Sequence, residues 1–144
     1  MQTSSAAEVH TNQSSWTLIG FYILILFFNL CLTAQVLTVG FAYFYNPGWW
    51  NIHVWLVRGY SGLSLILLVW VFFVPFPRRV QSLTASIPVL LGLQFLSIYL
   101  KTSIPLAIVH PLMGFTLFSV STTLVHRVSL VVFPKVKNGE IPPL

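Results

Sequence analysis

The chain is nearly without carboxylates. Two acidic side chains, Glu8 and Glu140, serve all 144 residues, and none lies between them. Only 6% of the residues are charged, against about a quarter in an ordinary soluble domain. Several kinds of chemistry are excluded as a result. Glycosidases need two neighbouring carboxylates, and a Ser-His-Asp triad needs a buried acid. Calcium cages, di-iron sites and intramembrane proton relays need acids in their interior. Cysteine is as scarce. Cys31 alone cannot close an intrachain disulfide or build a multi-cysteine zinc or iron–sulfur centre. A protein that is not an enzyme is expected.

What the chain does have is apolar length. It is 56% hydrophobic and 15% aromatic. The runs 16–43, 52–74, 83–100 and 105–132 match the roughly 20 residues that span a bilayer. Asn46-Pro47-Gly48 ends the first run, and Pro75 with Pro77 ends the second. Pro88 falls in the first turns of the third, where proline disturbs a helix least. Pro105 suits the first position of the fourth helix, and Pro134 stops it. Residues 1–15 are polar and lack the basic start of a secretory signal. They and residues 134–144 read as tails around one transmembrane domain at 16–133. No internal repeat is apparent. Short connections make successive helices antiparallel neighbours. The fold expected is all-α, an integral membrane up-down four-helix bundle in a lipid bilayer.

The net charge of +5 comes from single basic residues and one pair beside apolar runs. That scatter suits membrane topology and not a phosphate-binding patch, so no nucleic acid partner is expected. Arg78, Arg79, Arg127, Lys135 and Lys137 fall at one end of the bundle. The excess of Lys/Arg places that end and both termini in the cytoplasm, or in the stroma of a thylakoid. Tyr43, Tyr45, Trp49, Trp50 and Trp55 then form an aromatic belt at the outer face.

In this topology Gln35, His53, Arg58, Gln94 and His110 all fall in the outer half of the membrane. At about 100° per residue, His53, Tyr60 and Ser64 share one helical face, and His110, Gly114, Leu117 and Ser121 share another. His126 is about 24 Å from His110 along the axis, so His53 is the histidine that can meet His110. Neutral imidazole binds transition metals, and axial ligands from two helices can hold a haem iron. Chlorophyll magnesium accepts the same ligand. His53 and His110 are thus the expected metal ligands of a haem or chlorophyll, with Gln35, Gln94 and Gly114 around them. Arg58 and Lys101 would meet propionates, and Gly59, Gly62, Gly92 and Gly114 would make room for a flat ring. The same residues also suit plain hydrogen bonding between helices, with no cofactor. Arg58 equally suits a lipid head group or snorkelling to the interface.

A Gln in the first helix, a His opening the second, a Gln in the third and a His-Pro opening the fourth form a pattern. With Gln35, His53, Gln94 and His110-Pro111, the chain resembles a family of small, uncharacterised four-helix membrane proteins of bacteria. Residues 51–62, NIHVWLVRGYSG, look like cyanobacterial members in particular. The bundle is also similar in outline to small b-type cytochromes, but it carries one histidine pair where dihaem members carry two. The resemblance implies a thylakoid or plasma membrane location. It also implies an accessory or assembly role for a larger, photosynthetic membrane complex. An electron-transfer protein of the b-type cytochrome kind and a small transporter or channel subunit are the alternatives.

Overall fold

The computed structural model describes the backbone of residues 4–100 and 105–134, and the side chains of residues 15–100 and 107–134. Within them the regular structure is helical: α1 (Ser4–Phe44), α2 (Trp49–Val71), α3 (Arg78–Tyr99) and α4 (His110–Val132), with a 3-10 turn at Pro105–Val109 leading into α4. The segments Ser15–Phe44, Trp49–Val71, Arg78–Tyr99 and Ala107–Val132 are each long and apolar enough to cross a membrane. The chain is a multi-pass, all-α bundle. α1 packs on α2 and α4, and α3 packs on the same two, while the diagonal pairs α1/α3 and α2/α4 stay apart. Phe21, Ile25, Phe28, Leu67, Ile87, Leu117 and Leu124 fill the centre. The outward faces carry exposed Phe27, Leu37, Leu65, Phe73, Val89 and Phe115. Such a surface would aggregate in water and is ordinary in lipid.

Several boundaries differ from the sequence expectation, each for a local reason. The polar residues before the first run continue α1 as helix from Ser4 on. At 41 residues α1 is about 60 Å long, twice a hydrocarbon core of about 30 Å. α3 begins at Arg78, directly after Pro77. Its polar first turns hid it from a count of apolar residues. Pro88 therefore sits midway along α3 and not in its first turns, where it deprives the Thr84 carbonyl of a backbone donor. Pro105 opens the 3-10 turn, and Pro111 is the proline in the first turn of α4.

The larger correction concerns repetition, because the two hairpins repeat each other in register. The buried side chains of α3 are Val80, Thr84, Ile87, Leu91 and Ser97. Each lies 59 positions after a buried residue of α1: Phe21, Ile25, Phe28, Leu32 and Thr38. The buried set of α4, Leu117, Ser121, Leu124 and Val128, lies 57 positions after that of α2: Tyr60, Ser64, Leu67 and Val71. Gln35 and Gln94 share the first offset, and His53 and His110 share the second. The motif Val-x-Phe-Pro followed by a basic residue recurs at 74–78 and 131–135. Few apolar identities survive between the copies, since any side chain of suitable size fills a buried position. That is why the repeat escapes a residue-by-residue comparison. α1–α2 and α3–α4 are thus parallel repeats about an axis running along the bundle.

The symmetry breaks midway through the bundle. Asn29 Nδ2 donates to Ser121 Oγ and Thr122 Oγ1, both at 3.1 Å, and ties α1 to α4. The equivalent of Asn29 is Pro88, which has no such group to offer.

Equivalent core positions should respond alike. Leu67→Ala and Leu124→Ala should each lower stability by about 2–5 kcal/mol, and by similar amounts, in reversible unfolding in detergent. Strongly unequal losses would mean that the repeated register is not matched by equivalent packing.

Candidate functional site

The polar end of each hairpin is built by one rule. In α1, Gln35 precedes Thr38 by one helical turn, and in α3, Gln94 precedes Ser97 by the same turn. The Thr38 hydroxyl donates to the Gln35 backbone carbonyl at 2.7 Å. The Ser97 hydroxyl donates to the Gln94 carbonyl at 2.8 Å. Each hydroxyl also meets the imidazole that opens the next helix. Thr38 Oγ1 lies 3.1 Å from His53 Nδ1, and Ser97 Oγ lies 3.2 Å from His110 Nδ1. His53 Nδ1 is also 3.3 Å from the Gln35 carbonyl. The two hydroxyls are buried, Thr38 at 5% and Ser97 at 1% exposure, so water does not compete for these bonds.

This network assigns the imidazole protons. A hydroxyl has one proton to give, and in both hairpins it goes to a carbonyl. With that proton on the carbonyl, the hydroxyl oxygen accepts from the imidazole, the arrangement in which Nδ1 carries the hydrogen; at His53 the Gln35 carbonyl, 3.3 Å from Nδ1, favours the same tautomer. A neutral ring held in this way presents Nε2 with its lone pair free. Metal-binding histidines are fixed in the same fashion, by a hydrogen bond at the other ring nitrogen.

The pattern of glutamines and histidines in the sequence leaves out Thr38 and Ser97. The signal for them was present. Gln-x-x-Thr and Gln-x-x-Ser precede the two histidines, with hydroxyl-to-imidazole separations of 15 and 13 residues.

The glutamine side chains add a second matched pair. Gln35 Nε2 donates to the His53 backbone carbonyl at 3.0 Å, joining α1 to α2 where α2 begins. The Gln94 amide lies against Gly114, where an added Cβ would come within 3.0 Å of Gln94 Nε2. That close approach is what Gly114 permits. Both side-chain oxygens, Gln35 Oε1 and Gln94 Oε1, are buried and meet no donor among the described residues. A buried acceptor left alone costs about 1–3 kcal/mol. Here the omission occurs twice, at equivalent positions.

His53 and His110 sit at the same end of the bundle, on the diagonal helices α2 and α4. The Trp50 ring meets His53 edge-on at 5.6 Å.

The structure does not bring every expected residue to this place. Arg58 lies on the exposed face of α2, with its guanidinium over the Trp55 ring at 5.7 Å. It is five positions from His53 and therefore about 140° around the helix. Lys101 lies outside the described residues. Gly59, Gly62 and Gly92 are exposed, with open space where a Cβ would stand. None of the three opens a slot at the histidine pair, and Gly114 alone of the four has a neighbouring helix within contact of its Cβ position. Among the described residues no group of three or more His, Cys, Asp or Glu side chains comes together. A closed tetrahedral zinc site needs four such ligands, which the described residues do not bring together.

Residues 35–102 match the model of a family of unknown function, DUF6220. The match begins at Gln35 and takes in His53, Gln94 and Ser97, but stops before His110. It accords with the expectation of an uncharacterised family. No curated protein and no solved structure matches the chain.

The proton assignment is open to measurement. Nitrogen-15 spectra of histidine-labelled protein in micelles should show both His53 and His110 as the Nδ1–H tautomer. Thr38→Val should disturb the His53 signals only, and Ser97→Ala the His110 signals only. Rings exchanging freely between tautomers would refute the assignment.

Proposed function

We propose that the chain is a non-catalytic membrane accessory protein that holds a metal-centred tetrapyrrole, haem or chlorophyll, between its two hairpins. The observation that carries this reading is the duplicated unit of hydroxyl, carbonyl and imidazole. Plain packing has no need to hold two rings in one tautomer at one end of a bundle. Two histidines that held a metal would need it, because each would have to present a lone pair.

The residues present fit such a group in part. His53 and His110 would hold the metal through neutral imidazole nitrogens. Gln35 Oε1 and Gln94 Oε1 offer acceptors to water or to the O–H groups of a protonated ring substituent. Arg58 faces away from the pair and does not serve as a propionate partner. The bound group would supply a redox-active iron or a light-absorbing magnesium centre. The chain's own residues orient the rings and keep water from the hydroxyl–imidazole bonds.

The single pair at one end of the bundle favours a cofactor holder over a carrier that passes electrons across the whole membrane. Electron transfer at one face, as in b-type cytochromes, is the second reading, and it rests on the same two histidines. Likeness of residues 51–62 to cyanobacterial proteins supports a photosynthetic membrane and a larger membrane complex as partner. The exposed Phe72 and Phe73, at 68% and 81%, offer apolar surface to such a complex or to lipid tails. The distribution of Lys and Arg supports cytoplasmic or stromal termini.

The visible spectrum of protein purified in mild detergent from its native membrane decides the matter. A Soret band with sharp bands on reduction is expected for haem, and a red absorption band for chlorophyll. His53→Ala and His110→Ala should each remove or shift these bands. A colourless, folded preparation that takes up no added haem would sink the proposal.

A further inference from the structure

Arg58 is a charge inside a membrane span with no partner of opposite sign in view. It belongs to the apolar segment Trp49–Val71, and its only described partner is the Trp55 ring. No acidic side chain occurs between Glu8 and Glu140. Glu8 is near the start of α1, at the opposite end of the bundle from Gln35 and His53, and Glu140 lies outside the described residues. An unpaired guanidinium in hydrocarbon is costly. Two geometric facts say where it goes. Helical Cβ atoms point towards the helix N-terminus, so Arg58 leans up towards Trp55 and the aromatic belt. Its Cα is about 13 Å below the start of α2, a depth that a long arginine side chain can offset by snorkelling. The guanidinium thus approaches the level at which lipid phosphates lie.

A shallow groove of about 570 Å³ runs between α1 and α2 and meets Arg58 through Trp55. Phe27, Cys31, Trp55, Gly59 and Leu63 line it, and Asn51 stands at its upper end. From Asn51 to Leu63 the groove follows α2 for about 18 Å. That span has room for one extended chain. Nothing lies within 4 Å of where a Gly59 Cβ would be, so a larger side chain at this position would project into the groove. Trp55 is shared by the groove and by Arg58. A positive, bidentate head beside a long apolar trough matches a phosphate carrying an acyl chain.

We propose that Arg58 and the α1–α2 groove form a binding site for an anionic phospholipid, with its phosphate on the guanidinium and one acyl chain against Gly59. This site is separate from the histidine pair and does not depend on the cofactor reading.

The test uses the full chain in mild detergent, with lipid retention read by native mass spectrometry. Phosphatidylglycerol and phosphatidylcholine of identical chains are compared, with inorganic phosphate as a third probe. Phosphatidylglycerol should be retained at least about fivefold more strongly, the worth of about 1 kcal/mol for one basic residue at an anionic surface. Arg58→Gln should abolish that preference. Arg79→Gln, which removes an exposed arginine at the other end, should leave it intact. Gly59→Leu fills the groove, replaces glycine with a better helix former, and should weaken retention of both lipids. Equal retention of the two lipids, or a preference that survives Arg58→Gln, would overturn the proposal. So would unchanged binding in Gly59→Leu, or displacement of the lipid by inorganic phosphate alone.

Discussion

Inside a bilayer no water stands by to satisfy an imidazole, and the polar end of this protein is organised around that constraint. The proton on Nδ1 of each histidine needs an acceptor, and the chain supplies a threonine or serine hydroxyl whose own proton is already given to a carbonyl. The bond is short in sequence and crosses from one helix to the next. It fixes how α2 sits on α1 and how α4 sits on α3. It also leaves the second nitrogen of each ring unused. Packing, orientation and chemical potential of the site follow from one small relay, made twice.

The duplication explains why the relay is made twice. Two hairpins with one buried register meet about an axis along the bundle, so whatever one hairpin does with its polar end the other does too. An internal pair of histidines is then a natural product of the architecture, much as a dimer makes a pair from one residue. The departures from symmetry carry information as well. Asn29 ties α1 to α4 through two hydroxyls, while Pro88 stands at the equivalent place. Phe76 is buried against Phe21 at 4.7 Å, while its equivalent Phe133 is 59% exposed. Arg58 is the plainest departure, because its equivalent is Phe115. One hairpin therefore presents a cation to the lipid where the other presents a ring.

Much of the fold was legible in the sequence, because spans depend on length and apolarity, which are local properties. The breakers Asn46-Pro47-Gly48 and Pro75/Pro77 were read correctly. Asn46 Oδ1 indeed accepts from the Gly48 N–H at 2.8 Å. The shared faces of His53 with Tyr60 and Ser64, and of His110 with Gly114 and Leu117, follow from helical period alone. The start of α3 was missed because its first turn is polar, and the repeat was missed because burial tolerates many apolar side chains. The role of Thr38 and Ser97 was missed because hydroxyls are common in membrane helices, and only a neighbour across the groove distinguishes one that accepts from an imidazole.

By itself the sequence determined the class of the protein: an acid-free membrane bundle of four helices with two histidines at one end. Composition and period suffice for that, since the bilayer imposes the same terms on every span. The tertiary structure alone decided which residues act together. It turned Arg58 outward, set Gly114 against Gln94, matched the buried positions of the two hairpins, and assigned the proton on each imidazole. Those are contacts between residues distant along the chain, and only the packed helices bring them within bonding distance.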